Sequence, residues 1–273
     1  MKDEIFREYS EIIESRFGIK MPLDKNILLE TRLKKLFLDH RYEGAYQDEE
    51  TYLYYLKQSY DQALFQELAE VITTNHTYFM REREHYRFLV EVALPEFTKT
   101  IEDGDLRTWC AAASSGEEAY SLAIFLDDFF TSHHLYWDYT LLATDIATNL
   151  LETAIEGEYR EENINNLPSN FITRYFTKSG NKYTVVDELK EKVLFRRFNL
   201  KHHFPFKKPL HLIFCCNVLM YFDDLTKRDI LKKITDNLAV GGYFFVGHSE
   251  IIPTDKLPLE QVEPSIYRRT ADS

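Results

Sequence analysis

The sequence predicts an α/β protein in which a mostly parallel, Rossmann-like sheet follows an all-helical N-terminal region and carries a small antiparallel β insertion. Three observations predict it. Apolar residues recur at helical spacing through the first hundred residues, with no strand-like alternation. From Asp103-Gly104 onward, short apolar runs alternate with amphipathic segments, the signature of β-α-β units. Between Gly157 and Leu200 that alternation is broken by a polar loop and short strand-like runs. The boundaries that follow are a helical domain over 1–72, a linker and helix over 73–104, and an α/β domain over 105–273 with its insertion at about 158–198.

Each element has its own justification. Glu4 to Phe17 aligns Ile5, Tyr9, Ile12, Ile13 and Phe17 in one stripe, so it reads as a helix with one buried face. Pro22 follows closely, and Asp24 is placed to cap a second helix running to about His40. Glu49 to Gln58 and Asp61 to Val71 fit further helices of a small bundle. In the α/β region, Leu106 to Ala111, Tyr139 to Ala143, His211 to Cys216 and Tyr243 to Val246 are strand candidates. The intervening helices are Glu117 to Phe130, Ala147 to Glu156 (stopped at Gly157) and Thr226 to Leu238. Tyr183 to Val186 and Val193 to Phe198, with Ser179-Gly180-Asn181 as a turn, supply the antiparallel insertion.

Composition narrows the function classes. With 44% apolar and 15% aromatic residues, the 273-residue chain can bury a substantial core. Its formal charge of −12 opposes generic binding to nucleic acid or anionic membranes. No apolar stretch approaches the roughly 20 residues of a membrane span, and the acidic start, MKDEIFREYS, lacks a signal peptide's apolar segment. Three cysteines without a CxxC pair read as buried reduced thiols, which places the protein in the cytoplasm. His133-His134 and His202-His203 diverge on any regular backbone, so no metal site is expected.

Open α/β sheets bind ligands beyond the carboxyl ends of their strands. The loop Ala111 to Glu118 sits at such a place. Its small residues let a ligand approach the backbone, and its two carboxylates suit a cation rather than a pyrophosphate. S-adenosylmethionine carries an ammonium and a sulfonium, so Glu118 can pair with its amino group; capping of the following helix is the competing role. Asp145, at the end of the second strand, is spaced either to accept hydrogen bonds from ribose hydroxyls or to cap the helix after it. Thr73 to Arg81 gathers Asn, Thr, aromatic and Arg side chains in one linker, where Arg81 can orient a carboxylate or form a surface ion pair.

Five segments, in order, resemble the CheR-type chemotaxis receptor methyltransferases. They are Thr73 to Arg81, Trp109 to Ser121, Thr144 to Ile146, Phe214 to Asp223 and Gly241 to Glu250. The resemblance spans nearly the whole chain. It implies a methyltransferase sheet, a receptor-docking helical domain, and a site in which Asn75, Thr77, Arg81, Glu118, Asp145, Asn199, Leu200, Cys216 and Asn217 surround S-adenosylmethionine. Tyr221 and Arg81 are implied beside the transferred methyl and the incoming carboxylate. The chain departs from the family where Cys216 replaces the usual Arg, Ala119 the usual Pro, Ala147 a common second Asp and Val240 the usual Pro. The effect at Cys216 depends on whether its backbone or its side chain meets the cofactor.

The implied reaction forms glutamate methyl esters on the cytoplasmic helices of methyl-accepting chemotaxis receptors, yielding S-adenosylhomocysteine. Those helices are acidic, so a chain of this charge needs a local basic face, and Arg32 and Lys35 share one side of the second helix. The turn from Lys178 to Lys182 is shorter and less Gly-rich than in members that tether to a receptor C-terminal peptide, which favours no tether. A cofactor-binding regulatory module without turnover is the alternative reading.

Overall fold

The computed structural model describes residues 1–39, 46–59 and 61–271. The helical region opens with α1 (Asp3–Phe17), α2 (Asn26–Phe37), α3 (Glu49–Gln58) and α4 (Gln62–Ile72). Phe6, Tyr9, Ile13 and Phe17 of α1 bury against Leu29, Leu33 and Leu36 of α2, Tyr52 and Leu56 of α3, and Leu64 and Leu68 of α4. Ile5 and Ile12 of the expected stripe lie at the rim of this core rather than inside it. Asp48 and Asp61 cap α3 and α4 through their carboxylates. Asp24 does not cap α2. It sits in a 3-10 turn, Leu23–Lys25, and α2 starts without a side-chain cap. That helix also ends at Phe37, earlier than expected; position 40 lies outside the described residues.

A longer helical stretch leads to the sheet: α5 (Arg83–Phe88), a π-turn (Leu89–Ala93) and α6 (Leu94–Thr100). Pro95 has no N–H and would clash with the carbonyl four residues back in a regular helix, and the widened turn, closed by Leu94 N–H on Leu89 O, absorbs it.

The strands are β1 (Thr108–Ala111), β2 (Leu141–Asp145), β3 (Glu158–Arg160), β4 (Phe176–Ser179), β5 (Lys182–Val185), β6 (Val193–Arg197), β7 (Leu210–Phe214), β8 (Leu238–Phe245), β9 (Leu259–Glu263) and β10 (Ile266–Arg269). The main sheet has the order β6-β2-β1-β7-β8-β10-β9. Its first five strands run parallel, and β10 and β9 close it antiparallel. The remaining helices are α7 (Glu117–Ser132), α8 (Thr148–Glu156), α9 (Glu161–Ile164), α10 (Ser169–Tyr175), α11 (Asp187–Lys190) and α12 (Asp224–Asn237). Alternate side chains feed two cores. Cys110, Leu212 and Phe214 face α7, whereas Trp109, Ile213 and Cys215 face Ile230, Leu231 and Ile234 of α12. Every residue of β1 and β7 is buried, which is why both read as unbroken apolar runs.

Two expectations need correction. Val193 to Phe198 was expected in the insertion, but β6 pairs parallel to β2 from Leu141↔Val193 to Asp145↔Arg197 and belongs to the main sheet. Its inward Val193 and Phe195 complete the core beside β2, whose edge would otherwise be open. The insertion is instead the three-stranded sheet β3-β5-β4. The hairpin β9–β10 was not foreseen, because β9 buries only Leu259 and so shows no apolar alternation.

Candidate active site

Strand order reverses between β1 and β7, with β2 and β6 to one side and β8 to the other. Ligand clefts form beyond strand ends at such a point. Here a cleft of about 1000 Å³, its mouth included, opens between the carboxyl ends of β1, β2, β6 and β7 and the linker that leaves α4. Asn75, Thr77, Arg81, Glu118, Asp145, Asn199, Leu200, Cys216, Asn217 and Tyr221 all line it. Ten residues from five loops, scattered over the sequence, therefore meet at one cavity.

The loop after β1 forms the floor. Ala112 and Ser114 adopt left-handed φ of 58° and 52°, a conformation costly for residues with a Cβ and typical of ligand-holding turns. Gly116 follows at φ 96°, and a Cβ there would lie 2.8 Å from Ala154 Cβ and 2.9 Å from the Tyr159 hydroxyl. Asp145 holds this turn: its carboxylate accepts from Ser114 N–H at 2.8 Å and Ala147 N–H at 2.9 Å. It thus buttresses the start of α8, and the residue also lines the cleft.

Glu118 does not cap α7, whose N-cap is Gly116 without a side-chain bond. Its carboxylate faces the cleft and accepts from the Cys110 thiol at 3.4 Å. Burial pushes its carboxyl up to about 7, a rise that the Cys216 and Cys110 thiols and Arg81 oppose. The Cys216 thiol reaches Phe245 O at 3.8 Å and His85 Nδ1 at 4.0 Å, and lies near enough to Glu118 to favour its ionised form. Desolvation holds both thiols well above the ordinary cysteine range, so they stay protonated. Neighbouring Glu117 turns away and accepts from Ser115 Oγ at 2.6 Å.

The opposite wall comes from the linker. Arg81 donates to His76 O at 2.7 Å, and its guanidinium carbon lies 5.9 Å from the Tyr78 ring centre. Asn75 Nδ2 donates to Thr73 Oγ1 at 3.2 Å. At the mouth, Tyr221 is 36% exposed. Its carbonyl accepts from Lys20 N–H at 2.8 Å, beside the Ile19↔Phe222 bridge that ties the helical region to this loop. Asn199 spends its side-chain amide elsewhere: Nδ2 donates to Arg16 O at 3.1 Å and Oδ1 accepts from Lys201 N–H at 2.9 Å. Together with Lys201, whose ammonium caps the last turn of α1 at Glu14 O (3.1 Å) and Ser15 O, it clasps the helical region.

Arg32 is not a free docking cation. Its guanidinium donates to the carbonyls of Val71, Ile72 and Thr73 at 3.2, 2.9 and 3.0 Å and to Thr74 Oγ1 at 2.9 Å, capping α4 where the cleft-lining linker begins. It also faces Tyr221. Lys35 is exposed and borders a shallow groove shared with Arg32, Leu36 and Asn149. The cleft also includes Phe17, Ile19, Ile146, Phe198, Val218 and Phe222, apolar residues not among those expected around the cofactor. Phe17 ends α1, and the others lie in the turns that follow their elements. His133 caps α7 through Phe129 O at 2.8 Å, and among the described residues no group of three His, Cys, Asp or Glu side chains can hold a metal ion.

The cleft suits S-adenosylmethionine: an acid with no cationic ion-pair partner among the described residues for the ammonium, a second carboxylate for the ribose, and an apolar lining. The family model for the CheR methyltransferase SAM-binding domain matches residues 75–267. A chemotaxis protein methyltransferase of Borreliella burgdorferi is 36% identical over 98% of this chain and 94% of its own length. The chemotaxis protein methyltransferase of Escherichia coli is 34% identical over 92% of this chain and 85% of its own length. Among the described residues no helix is long and apolar enough to cross a membrane. A cleft shaped for this cofactor, on a chain matched by that model over most of its length, belongs to one kind of protein: this chain is a member of the CheR methyltransferase family, an S-adenosylmethionine-dependent methyltransferase.

Proposed function

We propose that the chain esterifies glutamate side chains on the cytoplasmic helices of methyl-accepting chemotaxis receptors. One observation carries the reading: Glu118 and Asp145 form a cleft floor fit for a cationic nucleoside, while Arg81 and Tyr221 border the same cleft toward solvent. The names of the relatives, chemotaxis protein methyltransferases, support the choice of substrate.

The cofactor, when bound, supplies a methyl group on a cationic sulfur. Glu118 is the counter-ion for an ammonium, and Asp145 retains lone pairs for ribose hydroxyls beyond the two N–H groups it already accepts. A substrate glutamate is ionised near neutral pH, so no general base is required. Arg81 pairs with that carboxylate, and Tyr221 confines its approach to the line of attack. Phe17, Ile19, Val218 and Phe222 keep the cleft apolar, which favours a step that annihilates charge. Positioning of this kind contributes about 7–11 kcal/mol where the geometry is right.

Docking falls to the outer face of α2. With Arg32 committed to α4, the face offers Lys35 and the exposed Ile27 (77%), and Leu23, Met220 and Leu225 are further exposed aliphatic residues. A mixed basic and aliphatic surface suits an amphipathic helix carrying glutamates. Incubation with methyl-labelled cofactor and receptor-containing membranes tests the proposal. Base-labile label on receptor glutamates is the expected result; cofactor binding without transfer, or label on another acceptor, overturns it.

A further inference from the structure

We infer that Glu250 is a positioning residue of the methyl-transfer site, a buried carboxylate that fixes the Asn217–Tyr221 turn by accepting four backbone N–H groups. The inference rests on the cleft holding the cofactor as proposed above.

The turn after β7 leaves the sheet under poor local control. Asn217 is left-handed at φ 59°, and only a three-residue 3-10 turn, Leu219–Tyr221, follows before α12. Its N–H groups have no strand partner. Glu250 supplies one from the next loop. One oxygen accepts from Asn217 N–H at 2.7 Å and Gly247 N–H at 2.8 Å. The other accepts from Leu219 N–H at 2.7 Å and Met220 N–H at 3.3 Å. Glu250 is only 4% exposed, and among the described residues no Lys, Arg or His forms an ion pair with it. Backbone dipoles alone therefore compensate the buried group, an arrangement that only an ionised carboxylate, with acceptors on both oxygens, satisfies in full.

The surroundings are built around this bond set. Glu250 N–H returns to Gly247 O at 2.8 Å, closing the loop that carries the carboxylate. A Cβ on Gly247 would lie 2.2 Å from Asn217 Nδ2 and 3.0 Å from Asn217 N, so a side chain there would push Asn217 out of place where the two loops cross. The turn so fixed presents Asn217 and Tyr221 to the cleft, and the Tyr221 carbonyl is in turn anchored on Lys20 N–H. Glu250 does not line the cleft; it acts through the turn.

The Glu250→Gln substitution keeps the shape but turns one acceptor oxygen into an N–H₂ facing two N–H donors. We expect kcat to fall by about ten- to hundredfold at saturating cofactor, the effect of leaving buried donors unpaired, with KM for receptor changed less than twofold. Hydrogen exchange at Asn217, Leu219, Met220 and Gly247 should accelerate while the amides of β7 and β8 stay protected. Glu250→Asp, which keeps the charge but cannot span both pairs, should recover part of the rate. Wild-type kinetics with Gln-variant exchange unchanged at those four amides overturns the inference. If the Gln variant does not fold, exchange in the wild-type protein decides: protection of the four amides comparable to β7 upholds the clamp, and exposed-loop rates overturn it. A wild-type protein that binds cofactor but labels no receptor would instead sink the functional proposal, leaving the exchange result readable by itself.

Discussion

The floor and the docking side of the cleft are held in different ways. At the floor, Glu118 and Asp145 sit on loops fixed within the sheet domain, where Asp145 grips the strained turn after β1 and Gly116 leaves no room for a side chain. On the docking side, the walls are pinned across the junction between helical region and sheet: Arg32 caps α4, Asn199 and Lys201 cap α1, and Lys20 holds Tyr221. The difference separates two kinds of mutational effect. On the proposed function, changes at the floor should act mainly on cofactor affinity, and changes at the junction mainly on the geometry of the cleft walls and on receptor docking.

The largest effect that would sharpen this contrast is expected at Glu118. Glu118→Gln removes the counter-ion from a desolvated pair and should weaken cofactor binding by about 30-fold or more, read by calorimetry with S-adenosylhomocysteine. Arg81→Ala comes next, with turnover falling about a hundredfold while cofactor affinity changes only a few-fold; an unchanged methylation rate would rule out its carboxylate-orienting role.

The acid itself predicts a pH dependence. In the free protein burial lifts the Glu118 carboxyl to about 7, facing Glu82, Arg81, Cys110 and Cys216, whereas a bound ammonium favours its ionised form. Below about pH 7 the free protein holds a proton that binding must expel, so the dissociation constant should rise toward about tenfold per pH unit on the acid side and level off above it. Binding that is flat from pH 5.5 to 8 would contradict this. At the junction, Arg32→Ala should lower the melting temperature by several degrees through loss of the α4 cap, at about 1–2 kcal/mol. It should also weaken cofactor binding modestly, because Thr73 and Thr74 line the cleft. The smallest effect belongs to Lys35→Glu, a rim charge: receptor KM should rise several-fold with cofactor affinity unchanged.

Much of this was legible in the chain, for identifiable reasons. The parallel strands β1 and β7 announced themselves because both of their faces are buried, and α3 ran as its periodicity required, from Glu49 to Gln58. The cleft-lining polar residues were found because Glu118, Asp145 and Arg81 sit in motifs whose chemistry is unusual for plain scaffold. What escaped was nonlocal. The sheet membership of β6 depends on a partner some fifty positions earlier. Arg32 looks identical in sequence to an exposed helix cation, and only the arrival of α4 at its guanidinium reveals otherwise. Glu250 closes the segment Gly241 to Glu250 with nothing local to mark its role, because its four donors come from two separate loops.

The β9–β10 hairpin bears on self-association. A border strand displays unsatisfied amides and carbonyls, an invitation for another molecule to stack alongside. The outermost strand, β9, meets solvent with Glu260 and Glu263 on a backbone that buries only Leu259. Two such molecules meeting edge to edge would bring like charges together, so the carboxylates keep that margin unoccupied and guard the enzyme against fibrous self-association.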